Sequence, residues 1–500
     1  MLIAYQRFSE YMSDYWLNQP TRLVFGTQWF MFTVLVTFSL LYFSSTSSTT
    51  GFIFYLSIIL VFFLAWSIWS WWRVTRSFFD PYVIFLIAAT LFNGGGLAFL
   101  EVLGINQQIG GFLGGRFSDN SIVESLLLAV LGLFSYHLGG LFAATYKTEM
   151  PAINKSEQDI VLERYSLRVV GWLLLGIAIL PTIMTLRDAV STVLSGGYFA
   201  LYQREVVTGF ASSLKVLSAF MVPGTLFLLA GSKGRFYSVS VSLVLILTYV
   251  SIRFFLGERS WAVMPLLAYA WVWHRAIKPL PSTLLLSGGA ILGFVVFPLI
   301  KVVRNIEGGA RDSFYSYIEG FLTLDNPVVA VLEEIGGSIS TVVWTIELVP
   351  AVRDFDWGLS YVYAVSTVFP NLFWDIHPAV KHGLASHWLV WEVAPHTAAL
   401  GGGYGYSFIA EAYLNFGWIG TPIVLILLGY LFARLVLWAN TVQQPLKLAA
   451  VASFVAFFFM FARSESGTIV RPLLWYAFLP YALTYFVMRF KIGVATLRPG

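Results

Sequence analysis

Lys301-Val302-Val303-Arg304-Asn305-Ile306-Glu307-Gly308-Gly309-Ala310-Arg311-Asp312 is where a chain of apolar runs turns polar. From Lys301 to Tyr404 the sequence carries Arg304, Glu307, Arg311, Asp312, Asp325, Glu333, Glu334, Arg353, Asp354, Asp375, Lys381 and Glu392, with four of the six histidines. Read as a whole, it is the one long segment that a lipid bilayer would not accommodate. On both sides lie apolar runs of bilayer length. The reading is an all-α integral membrane protein whose chemistry takes place at one membrane face, under this polar segment.

Working outward, a span needs about 20 apolar residues. The candidate runs are about 23–43, 51–71, 82–100, 122–145, 167–186, 214–230, 236–255, 260–274, 283–300, 407–432, 447–462 and 471–488. The expected organisation is nine transmembrane helices in 1–300, one large outer loop over 301–404, and transmembrane helices 10–12 in 405–500. The run 260–274 is short. The run 407–432 exceeds one crossing, so it is expected to begin at the interface and turn into the membrane near Gly417. No cleavable signal pattern precedes the first run, which is expected to be an uncleaved span.

Composition agrees. The 500 residues are 58% hydrophobic and 11% charged, against about 25% charged in a soluble domain. The mean hydropathy is +0.76. Eighteen Trp, 25 Tyr and 44 Phe suit aromatic belts at two interfaces. With no cysteine there is no disulfide framework, thiolate metal site or thiol nucleophile. The net charge of +4 is small and its basic residues are spread along the chain, which argues against a nucleic-acid partner.

Basic residues set the orientation. With the N-terminus inside, the inner segments hold 17 of the 30 Lys and Arg, the short outer segments eight and the polar segment five. Both termini are therefore expected to be cytoplasmic. The outer set is ten Arg to three Lys, against eleven to six inside. Arginine pairs bidentately with phosphate, so the outer set reads as an anion site as well as a row of snorkelling side chains.

Particular residues sharpen this. Gly257-Glu258-Arg259-Ser260-Trp261 lies in a tight outer turn. Arg253 and Arg259 are spaced to hold a diphosphate between them, unless Glu258 and Arg259 neutralise each other there. Arg304 and Arg311 leave the membrane boundary just after the run ending at Ile300. Arg463-Ser464-Glu465-Ser466 and Arg471 add two guanidiniums in the turn between the last two runs. In the polar segment, His377, His382, His387 and His396 have spacings that match no zinc motif. His396, just before Gly401-Gly402-Gly403, is a candidate proton acceptor near neutral pH. Finally, Ser407, Glu411 and Asn415 recur at i, i+4 and i+8, one polar stripe on an apolar helix. An acid there faces protein or water; it is a functional candidate, or a packing partner for an outer arginine.

These features resemble the bacterial oligosaccharide repeat-unit polymerases, the Wzy-type O-antigen polymerases. The likeness rests on about a dozen spans with one large late loop and on Gly405-Tyr406-Ser407 through Glu411, Tyr413, Asn415, Phe416 and Gly417. It rests also on the outer arginines around Tyr202-Gln203-Arg204 and Gly257-Glu258-Arg259-Ser260. The resemblance implies a GT-C or SEDS-like glycosyltransferase of the bacterial inner membrane. It would transfer a glycan from undecaprenyl diphosphate to a second lipid-linked repeat unit at the periplasmic face, as in lipopolysaccharide synthesis, with no cofactor and no metal. Implied partners are a Wzz-type chain-length co-polymerase and a Wzx-type flippase. In such chemistry Arg204, Arg253, Arg259, Arg304, Arg311, Arg463 and Arg471 are the diphosphate-binding candidates. Glu411 and His396 are the catalytic candidates, and Trp374, Tyr404, Ser407 and Asn415 the sugar-binding ones. The alternatives are an O-antigen ligase, which shares the chemistry, and a polysaccharide exporter or flippase, which the scarcity of mid-span charges disfavours.

Overall fold

Without water in the bilayer core, backbone groups must pair within their own segment, and long apolar runs therefore become helices. The computed structural model describes residues 2–44, 51–108, 110–145, 156–203, 210–305, 314–322, 324, 326–369, 371, 374, 377–381, 383–440 and 444–496. Among these residues there is no strand, and twelve helices are long and apolar enough to cross a membrane. Eleven coincide with the runs read from the sequence. Polar residues start several of them. Asp80 accepts the Tyr82 N–H, Ser156 and Asp159 form a capping box, and Ser407 accepts the N–H groups of Ile409 and Ala410.

The twelfth helix differs from expectation. Pro327–Leu348 lies inside the segment expected to stay out of the bilayer altogether, yet it is long and apolar enough to cross. Its acids are Glu333 and Glu334 in the first half and Glu347 next to the far end, and these charges mask the uncharged stretch from Ile335 to Ile346 between them. The short run 260–274 is absent from the twelve. It forms Arg259–Val272 followed by a π-helical turn, Trp273–Ile277.

The inner layer is built on Asp119–Thr145, whose apolar window is 94% buried, and Pro445–Arg463, at 89%. Phe408–Ala439 packs along the first of these so closely that backbones touch: Gly139 faces the Ile426 carbonyl and Gly429 faces the Tyr136 carbonyl. A side chain at either glycine would separate the pair. Phe52–Thr75 and Ser282–Arg304, at 28% and 11% buried, present apolar side chains outward.

The connecting segments sort into two groups. At one end of the bundle Asn440 donates to Asp80, Arg275 donates to the Asn440 carbonyl, Arg168 caps Gly231, and Glu163 accepts the Leu446 N–H. These belong to the segments that basic-residue bias assigned together. The opposite end gathers the turn at Gly257, the end of Ser282–Arg304 and the turn after Arg463. Two breaks shape that end. Pro81–Val102 is interrupted at Asn93 and Gly94. Phe408–Ala439 is interrupted at Gly417 (φ 60°, ψ −159°), the position where a turn was expected. The carbonyls freed there, Leu414 and Asn415, accept the N–H groups of Asp356 and Trp357 at 3.0 and 3.1 Å.

Candidate functional site

The second group of turns brings arginines together from distant parts of the chain. Arg259 begins its helix and is only 8% exposed. Its Nη2 lies 2.8 Å from Glu334 Oε1. Arg304, near the end of Ser282–Arg304, reaches the same oxygen with Nη1 at 2.7 Å. The Nη2 of Arg304 donates to the Tyr198 hydroxyl at 2.9 Å, and its guanidinium lies 4.4 Å from that ring's centroid. The Tyr198 hydroxyl in turn meets that of Tyr202 at 2.9 Å, and burial pushes the Tyr202 phenol well up from its ordinary range. Gly257 makes this possible: its φ is +83°, and a Cβ there would lie 2.9 Å from Arg304 Cγ and 3.0 Å from the Tyr198 ring.

Arg253 pairs with Glu258 and stacks over Tyr249 and Trp261. The Glu258–Arg259 pairing considered for the Gly257 turn is not the one that forms. Glu258 neutralises Arg253, and Arg259 turns to Glu334. Arg463 comes from the far end of Pro445–Arg463, its guanidinium 5.3 Å from the Phe92 ring centroid. Arg259 and Arg463 wall one cavity of about 210 Å³, whose other lining, Ser260 apart, is apolar and includes Leu91, Val263, Leu267 and Phe459. Buried polar atoms on Arg259 and on its neighbours along the chain and across the ion pair lack hydrogen-bond partners: Arg259 Nη1, Arg253 Nε and Glu334 Oε2. Buried donors and acceptors are normally satisfied, so these atoms stand out from the rest of the interior.

Arg471 lies apart from this group. It donates to the carbonyls of Thr367 and Phe369, at 2.6 and 3.1 Å, on the wall of a second cavity of about 490 Å³. Lys215 and His377 also line that cavity, and the two cavities share Met264 and Met460. Arg204 and Arg311 lie outside the described residues.

The stripe Ser407, Glu411, Asn415 forms a spine under the turn that carries Arg463. Ser407 donates to Asn93 Oδ1 at 2.5 Å, and Asn93 donates to the Ala462 carbonyl at 3.0 Å. The Glu411 carboxylate is 1% exposed and accepts the Ser466 N–H at 2.8 Å, the Ser466 hydroxyl at 2.6 Å and the Ser360 hydroxyl at 3.1 Å. Asn415 accepts the Gly358 N–H and donates to Ser360, both within 2.8 Å. Beside Glu411, Glu465 accepts the Ala385 N–H and the Ser386 hydroxyl, and burial holds its carboxyl above the usual range.

His396 is exposed in the short helix Pro395–Ala399, which leads into Gly401; that glycine packs on the Tyr202 backbone at the edge of the arginine cluster. Tyr404 packs on Trp344, whose ring also carries Arg116. Trp374 meets His377 edge-on. Among the described residues no three His, Asp or Glu side chains come together as a metal site. Glu334, Tyr198, Phe92 and Asn93 escaped the sequence reading. Glu334 was visible only as one of the many charges between 301 and 404, in a stretch not expected to be an apolar helix.

The profile of one known family, described as O-antigen polysaccharide polymerase Wzy, matches residues 28–492, nearly the whole chain. No curated protein and no solved structure matches.

Proposed function

The chain belongs to the O-antigen polysaccharide polymerase Wzy family, and from that premise we propose that it joins undecaprenyl-diphosphate-linked oligosaccharide repeat units at the periplasmic face of the inner membrane. The observation that carries this reading is that Arg259 and Arg463 line a largely apolar cavity, with Arg304 joined to Arg259 through Glu334. That combination suits a lipid diphosphate. The isoprenoid takes the apolar lining and the diphosphate takes the guanidiniums.

The reaction breaks the bond between the anomeric carbon and a phosphate oxygen. It forms a bond from that carbon to an acceptor hydroxyl, whose proton must leave. Charge accumulates on the departing diphosphate, and preorganised guanidiniums in a water-poor site stabilise it most where water would screen it least. The larger neighbouring cavity, separated by Met264 and Met460, suits the second lipid-linked unit, so much of the rate comes from holding the two together. For the proton, His396 remains the candidate because it is exposed in the short helix that leads to Gly401, which packs on the Tyr202 backbone. Glu411 already accepts hydrogen bonds from Ser466 and Ser360, so we assign it to holding the turn that presents Arg463.

A strain lacking the gene, complemented with Arg259→Ala, Arg304→Ala or Arg463→Ala, tests this. Losing one such donor costs about 10²–10³ in rate, so each variant is expected to leave lipopolysaccharide capped with a single repeat unit while the protein stays in the membrane. Full-length polymer in all three removes the diphosphate site. Uncapped core with polymer still lipid-linked in the deletion strain identifies a ligase instead.

A further inference from the structure

The acid in the arginine cluster is the least expected part of it. Arg253 is taken up by Glu258. What remains is Arg259 and Arg463 on the cavity wall and Arg304 beside them, against the single carboxylate of Glu334, three charges less one, an excess of two. A lipid diphosphate that still carries its sugar has one ionisable oxygen on each phosphorus, and so neutralises that excess. Once the sugar has left, the bare diphosphate gains another ionisable oxygen and overshoots it.

Glu334 is also asymmetric. Oε1 bridges Arg259 and Arg304, so any anion held by those two guanidiniums lies against this carboxylate. Oε2 is buried and accepts no hydrogen bond. A buried carboxylate oxygen without a donor is costly, and a ligand hydroxyl would relieve it. The sugar next to the diphosphate supplies hydroxyls; the bare lipid diphosphate has lost them.

We propose that Glu334 makes this site select a sugar-linked diphosphate over a bare one, by accepting a hydroxyl of the first sugar on Oε2 and repelling the extra charge of the spent carrier. The proposal rests on the reading that the arginines hold the diphosphate. Specificity of this kind uses a repulsive element against the wrong ligand as well as an attractive one for the right ligand. It also gives the spent carrier a reason to leave after each transfer.

Titration calorimetry of the purified full chain in detergent tests it, with geranylgeranyl diphosphate and its glucosyl diester as probes. Glu334→Gln removes the charge at constant volume. It is expected to tighten the bare diphosphate by about tenfold while leaving the diester unchanged or weaker, so the preference of the wild type collapses. Glu334→Asp keeps the charge but retracts the oxygens. It is expected to leave the bare diphosphate near its wild-type affinity and weaken the diester, and it decides the question if the glutamine variant does not fold. Equal shifts for both probes in either variant, or no shift, overturn the role of Glu334. If Arg259→Ala binds both probes as the wild type does, the underlying diphosphate reading fails instead.

Discussion

Arg304 performs two tasks with one planar group. Nη1 meets Glu334, Nη2 meets the Tyr198 hydroxyl, and the plane lies over the Tyr198 ring. A lysine has the charge but presents it as a compact point on a flexible stem, without the fork. Arg304→Lys is therefore expected to keep the protein in the membrane and lower the rate of chain extension by about tenfold, equivalent to about 1.4 kcal/mol in the barrier. The check is product length over time with purified protein and lipid-linked repeat unit; an unchanged rate would mean that charge alone matters here. Individual arginines were legible in the sequence because a charge beside an apolar run is visible residue by residue. Their partner was not, because Glu333-Glu334 sits among the many charges of 301–404 and looks like one more pair of them.

At the scale of elements, the turn carrying Arg463 is held by two acids on opposite sides. Glu411 on Phe408–Ala439 grips Ser466, and Glu465 within the turn grips the start of Ala385–Val393. The i, i+4, i+8 spacing of Ser407, Glu411 and Asn415 is a helical property, so the stripe could be read directly. What the stripe meets could not, because Ser360 and Ser466 are more than fifty residues away from Glu411. A clamp and a base respond differently to substitution. Glu411→Gln still offers an oxygen to the Ser466 N–H, and both serine hydroxyls can reverse their roles to accept from the amide. Glu411→Ala leaves a buried N–H and hydroxyl without partners, at a cost of about 1–3 kcal/mol each. The expected result is that Glu411→Gln retains polymer formation while Glu411→Ala loses both polymer and melting temperature in detergent. Equal loss of polymer with unchanged melting temperature in both would assign the proton transfer to Glu411.

For the whole molecule, the two groups of turns are the decisive feature. Gly139 and Gly429 draw the central helix pair together, and around it the segments near Asp80, Glu163, Arg275 and Asn440 meet at one end while the arginine cluster occupies the other. The natural sequence has no cysteine, so single introduced thiols report sidedness without background. A membrane-impermeant maleimide is expected to label Leu400→Cys in intact cells and Lys278→Cys only after the cells are broken. Labelling of both in intact cells would contradict the assigned orientation.

The sequence by itself determined that the chain is helical and spans a membrane many times, because burying a backbone in lipid leaves no other way to pair its polar groups and the run lengths report this locally. It also determined that arginines crowd the connections of one end, because charge is visible residue by residue. Only the tertiary structure decided which of them meet, that Arg471 stands apart, and that Pro327–Leu348 brings Glu334 between Arg259 and Arg304. Those contacts join residues up to hundreds of positions apart, and such pairings follow from how whole helices pack, which no local pattern encodes.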